Sequence, residues 1–115
     1  MRKKVIIESP YAGDITRNEI YARRCMLDSI SRGEAPLVSH LLYTQVLDDT
    51  IPAQRVSGIE CGFAWREGAH LTAVYTDYGI SEGMLQGIED AQFQGCLVEM
   101  REIGLNPEDE ERLMA

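Results

Sequence analysis

Three short stretches hold most of the side chains able to bind or transform a small molecule. "SPYAGDITRN" covers residues 9–18. Ser9 offers a hydroxyl, and Tyr11 a flat ring with a polar tip for a base or ribose. Arg17 carries a guanidinium fork suited to a phosphate or carboxylate. "SHLLYTQVLDD" covers residues 39–49. His40 there can donate to a phosphate or exchange a proton, and Tyr43 and Gln45 are candidates for a base pocket. Asp48 and Asp49 either hold a ribose diol or cap the following helix, the commoner use of aspartate there. "YTDYGISEGM" covers residues 75–84. It supplies Asp77, Ser81 and the backbone amides of Glu82, Gly83 and Met84, a natural anion site if a helix begins there.

The elements that must position these residues follow from the apolar pattern. "KKVIIES" is a short β-branched run and reads as a buried first strand. "RNEIYARRCMLDSISRG" places Ile20, Tyr21, Cys25, Met26 or Leu27, and Ile30 near helical spacing. Gly33 supplies the stop, and Asp14 or Thr16 is the cap. A second strand is expected around Pro36–Ser39, followed by a loop or short helix. "DDTIPAQRVSGIECGFAWREGAH" then gives a helix with a proline in its first turn, with Val56, Ile59 and Phe63 on one face. "HLTAVYTDYG" is a strand, "SEGMLQGIEDAQFQG" a helix and "CLVEMREI" a last strand. This β-α-β-α-β-α-β order predicts an α/β, Rossmann-like or flavodoxin-like three-layer fold, a parallel sheet with helices on both faces. Ligands in such sheets sit at the carboxyl ends of the strands. All three polar stretches fall there.

Composition sets the limits. A chain of 115 residues is expected to form one domain, residues 1–103, followed by an acidic tail over 104–115. Against 11 basic residues stand 19 acidic ones, a net charge of −8. That is the wrong field for non-specific nucleic-acid binding. No apolar run reaches membrane-spanning length, so no membrane partner is expected. Cys25, Cys61 and Cys96 form no CxxC and read as reduced, buried thiols of a cytoplasmic protein. His40 and His70 are the only imidazoles, and there is no HExxH, Walker loop or GxGxxG. Neither a metal nor a cofactor is expected. Gly83 and Gly87 stand one turn apart in the last helix, where each costs about 1 kcal/mol relative to alanine. Their spacing predicts a close neighbour on that face.

With these segments placed, the chain resembles the nucleoside 2-deoxyribosyltransferase-like superfamily, nearest to a small phage-encoded branch of uncharacterised function. The resemblance is carried by "VIIESPYAG", "RN" with "YARRCM", "RGEAPLVSHLLYTQ", "LDD" with Pro52 and Arg55, "GIECGFAW" and "YTDYGISEGM", covering about residues 4–101. It implies cleavage or exchange of an N-glycosidic bond, with Ser9, Pro10 and Tyr11 contacting base or phosphate. It also implies a nucleophilic glutamate four residues after Gly83, where this chain has Gly87.

Three functions follow. The first is capture of an intact nucleotide or nucleotide-derived molecule by Ser9, Pro10, Tyr11, Arg17, His40, Asp77, Ser81, Gly83 and Met84. In a phage this would sequester a host immune signal, of the cyclic ADP-ribose or cyclic oligonucleotide kind, in the host cytoplasm. The second is an N-glycosidase or deoxyribosyltransferase using Glu82, Asp77 or Asp49 instead of the expected glutamate. The third is a protein-interaction module with a vestigial pocket. The resemblance and the apolar helix bearing Phe63 and Trp65 further suggest a homodimer or larger assembly.

Overall fold

A computed structural model describes residues 1–105. Four strands, β1 (Lys4–Glu8), β2 (Ala35–Leu37), β3 (Leu71–Tyr75) and β4 (Leu97–Arg101), form one sheet in the order β2-β1-β3-β4. All neighbours are parallel. Between them run α1 (Ile15–Ser31), the short α2 (Ser39–Leu42) with a 3-10 turn at Tyr43–Gln45, α3 (Pro52–Arg66) and α4 (Glu82–Phe93). The chain steps from β1 outward to β2, then crosses back over β1 to β3. The reversal leaves the crevice between the carboxyl ends of β1 and β3 uncovered, the switch point where α/β sheets bind ligands.

Strand parity distributes the side chains between the two faces. Val5, Ile7, Ala73 and Tyr75 pack on Tyr21, Ala22 and Cys25 of α1. Val74 packs on Met84 and Ile88 of α4, with Val98 beside them. Ile6 and Glu8 share the second face, the one covered by α3 and α4, because they alternate with Val5 and Ile7 along β1. The expected fold class, with helices on both faces of a parallel sheet, is the observed one.

Local chemistry sets the helix starts. Asp14, not Thr16, caps α1 by accepting from the Arg17 amide at 3.1 Å. Ser81 caps α4 by accepting from the Met84 amide at 3.2 Å. Neither aspartate caps α3. Ile51 occupies its N-cap position, while Asp48 closes a turn by accepting from the amide and hydroxyl of Thr50. All three cysteines are free thiols, but only Cys25 is buried; Cys61 and Cys96 are partly exposed.

The domain runs past residue 103. The amides of Ile103, Gly104 and Leu105 donate to the Asp77 carboxylate at 3.0, 3.0 and 3.2 Å, and Ile103 and Leu105 pack against the α1-side core. Residues 106–115, the rest of the expected acidic tail, lie outside the described residues.

Candidate functional site

A cavity of about 280 Å³ opens at the switch point. The loop after β1 contributes Ser9 and Tyr11, α2 contributes Ser39 and His40, and the α3 region contributes Asp49, Arg55, Ile59 and Phe63. The start of α4 closes the wall with Ser81, Glu82, Gly83 and Met84. Ile6, Glu8 and Arg66 complete the lining, the first two delivered by the parity of β1 and the third by the last turn of α3.

Most residues picked from the sequence thus come together: Ser9, Tyr11, His40, Asp49, Ser81, Glu82, Gly83 and Met84. Ser9 Oγ and His40 Nε2 lie 3.2 Å apart, and the Tyr11 and His40 rings meet tilted at 5.6 Å between centroids. Burial depresses His40 to about 4. Its imidazole is therefore neutral at pH 7, a hydrogen-bonding group rather than a cation for a phosphate.

Six residues named from the sequence do not line the cavity. Tyr43 accepts from Trp65 Nε1, Gln45 donates to the Leu41 carbonyl at 3.0 Å, and Asp48 is held in its turn with Thr50. Pro10 is buried and does not face the cavity lining. Arg17 turns away, with its guanidinium 4.0 Å above the Tyr78 ring and both Nε and Nη2 donating to Asn18 Oδ1. The exposed cation that reaches the cavity is Arg55. Asp77 is a structural latch. It accepts from the Tyr21 hydroxyl at 2.6 Å as well as from the three amides after β4. Burial by itself would raise its pKa, but these donors outweigh it and hold the carboxyl below its usual range. An anion satisfied by four donors has little left for a substrate.

The two glycines of α4 separate in the same way. A Cβ at Gly83 would meet open space. A Cβ at Gly87 would fall inside the van der Waals envelope of the Glu8 carboxyl. The close neighbour predicted from the glycine spacing is thus a carboxylate delivered from β1, the residue that sequence reasoning missed. Its signal was an acidic residue ending an apolar strand, on the same parity as Ile6 and facing the helix that contains the glycine.

Arg66 holds this carboxylate in place. Its side chain is 1% exposed. Nη2 donates to Glu8 Oε2, Nη1 to Asp90 Oδ2 at 2.7 Å and Nε to Thr72 Oγ1 at 3.2 Å. Two carboxylates share one guanidinium, so ionising Glu8 would leave the cluster with an excess negative charge. Burial is the main cause of a Glu8 pKa raised to about 7; Arg66 offsets only part of the rise and Asp90 adds to it. Glu8 Oε1 takes no hydrogen bond among the described residues, and the side chain, 17% exposed, forms part of the cavity wall. Among the described residues no group of side chains could hold a metal ion, and no helix is long and apolar enough to cross a membrane.

Residues 3–101 match a domain of unknown function, DUF7768. The chain belongs to that family. No curated protein and no solved structure matches it. The DUF7768 region includes all four strands and the whole cavity wall, and it ends at Arg101, just before the three amides that complete the Asp77 latch.

Proposed function

We propose that this DUF7768 chain binds a nucleotide-like small molecule in the cavity at the β1/β3 switch point. The observation that carries the reading is the convergence there of an aromatic face, a helix N-terminus and a cation: Tyr11, the first turn of α4 at Ser81–Met84, and Arg55. A phosphate suits the amides of a helix start, a base suits the tyrosine ring, and an arginine adds a bidentate clamp. A volume of about 280 Å³ is at the low end for ligand pockets. It suits one nucleoside monophosphate better than a cyclic oligonucleotide.

Sequestration of a host immune nucleotide is the narrower form of this reading. A position 87 without a carboxylate would favour holding the ligand over cleaving it. With the Glu8 carboxyl standing in that space, position 87 no longer favours holding over cleavage.

Thermal-shift and calorimetric titrations with ribo- and 2′-deoxynucleoside 5′-monophosphates test the proposal. At least one should raise the unfolding midpoint, and Tyr11→Ala and Arg55→Ala should each weaken it. A panel without binders, or variants that bind as tightly as the parent, would overturn the reading.

A further inference from the structure

We propose that Glu8 binds the ligand as a carboxylic acid: when an anion enters the cavity, Glu8 takes up a proton and donates it in a hydrogen bond from Oε1 to an acceptor oxygen of that ligand. The inference rests on the nucleotide reading of the cavity and deepens it. Glu8 becomes a specificity-determining residue, and binding becomes linked to pH.

The carboxyl lies at the end of β1, in the cavity wall. Against it α4 presents Gly87, where a Cβ would meet all three carboxyl atoms. The helix backbone therefore closes on one side of the carboxyl and strips water from it, which disfavours the charged form. Oε2 accepts from Arg66 Nη2, and the same guanidinium gives Nη1 to Asp90 Oδ2 at 2.7 Å. Oε1 has no hydrogen bond among the described residues, yet it is not one of their buried unsatisfied atoms. It is the oxygen open to the cavity. The charged groups facing Glu8 are Arg66 from α3 and Asp90 from α4. Neither β2 nor β3 brings a charged side chain, and Thr72 of β3 only holds Arg66 Nε. His40 of α2 meets Ser9 and is neutral at pH 7. Asp49, Arg55 and Glu82 line the same cavity without a hydrogen bond to this cluster.

Charge then couples the proton to the ligand. With Glu8 protonated, Arg66 and Asp90 balance each other. With Glu8 ionised, the cluster is negative beside the cavity and repels a second anion. Gly83, in the helix start that suits a phosphate, is one turn from Gly87, about 6 Å along α4. An anion held there by the amides and Arg55 therefore favours the protonated form of Glu8. Proton and anion promote each other's binding to the same degree, as linkage requires. Burial already places Glu8 at about 7 instead of 4.5, so at neutral pH the proton is taken up readily. Asp90 and Arg66 act through Glu8 and are positioning residues.

The proton comes from solvent and resides on Oε1, while Oε2 keeps accepting from Arg66. No bond to the ligand is made or broken. The same atom selects among ligands. A compound that brings negative charge together with an acceptor oxygen binds the acid form and weakens as pH rises. A compound that offers Oε1 a cation or an N–H donor binds the ionised form and tightens as pH rises. The sign of the pH dependence therefore reports which chemistry meets Glu8.

The test titrates the full chain by calorimetry with ribo- and 2′-deoxynucleoside 5′-monophosphates from pH 7 to 8.5. There the phosphate, whose second pKa is about 6, is already doubly ionised, and His40 stays neutral. Parent affinity should fall roughly fifteen-fold across this range, as for a group titrating at about 7 that must be protonated to bind. At pH 8, buffers of different ionisation enthalpy should reveal uptake of nearly one proton per ligand. Glu8→Gln, whose amide can accept from Arg66 and donate into the cavity, should bind equally well at both ends and exchange no proton. Asp90→Asn leaves Arg66 to Glu8 alone and favours the carboxylate. It should bind more weakly than the parent at pH 7 and match it at pH 5.5, which keeps the inference testable should Glu8→Gln fail to fold. Affinity that is constant or rises with pH, a fall that survives Glu8→Gln, or a parent-like profile in Asp90→Asn would overturn the inference and leave the binding reading standing. Absence of any binding would overturn both.

Discussion

Replacing Glu8 by glutamine should make the protein more stable at pH 8, not less. Burial raises the Glu8 pKa from 4.5 to about 7 despite Arg66. In the unfolded chain Glu8 loses its proton near 4.5; in the folded chain it keeps it until about 7. Between those values the native state binds more protons than the unfolded state. The contribution of Glu8 is therefore fully present below 4.5 and is lost as pH rises through 7. At about 1.4 kcal/mol per pH unit, that displacement amounts to about 3 kcal/mol. Glutamine mimics the protonated form at constant volume, and Arg66 keeps Asp90 as its counter-ion.

His40 has the opposite slope. Its folded value of about 4 lies below the ordinary 6.5, so its contribution is present above 6.5 and is lost as pH falls through 4. In the parent the two slopes offset each other between 4.5 and 6.5, and its stability there should be nearly flat. Glu8→Gln should expose the His40 slope and rise with pH. By scanning fluorimetry from pH 4.5 to 8.5, the variant should match the parent at the acid end and exceed it by roughly 10 °C at pH 8, about 4 °C per kcal/mol for a chain of this size. A loss of about 3–5 kcal/mol that does not change with pH, as expected when half of a buried ion pair is removed, would show Glu8 ionised throughout and refute the argument.

Four further outcomes follow from the same geometry. Gly87→Ala should destabilise by about 1–3 kcal/mol net of its better helix propensity, because the new methyl displaces a carboxyl fixed by Arg66; denaturant melts showing stabilisation would contradict the contact. Asp77→Asn should cost about 1–3 kcal/mol by turning an amide against backbone donors, yet leave nucleotide affinity unchanged by calorimetry. Arg17→Ala should also leave affinity unchanged, since its guanidinium lies over Tyr78, whereas Arg55→Ala should weaken binding by about 1.5–3 kcal/mol; the reverse order would restore Arg17 to the site. For assembly, Trp65 on α3 is 57% exposed, and we propose that the surface around it joins two copies. Light scattering should give a dimer at micromolar concentration that Trp65→Glu dissociates, and a monomeric parent would dispose of the idea.

The sequence by itself determined the layers. Short β-branched runs at β1 and β3, a helical period with Gly33 as its stop, and a capping residue ahead of α1 are local features, and local energetics fix them. Alternation of strand and helix then placed the polar loops at one edge of the sheet, which is why Ser9, Tyr11, His40 and Ser81–Met84 were legible as one site. What a loop residue does after leaving its strand was not legible, because competing partners decide it. Arg17 found Tyr78, and Asp77 found three amides from a segment 26–28 residues further along the chain. The Asp48–Asp49 pair lay beside a helix that neither residue caps. Gly87 shows the division most clearly. The sequence records only a missing side chain, while packing α4 against β1 shows the space filled by Glu8, 79 residues away by number. Burial between two packed elements, with Arg66 arriving from a third, also sets the protonation of that carboxylate. No stretch of sequence contains that environment, because it exists only where three segments meet.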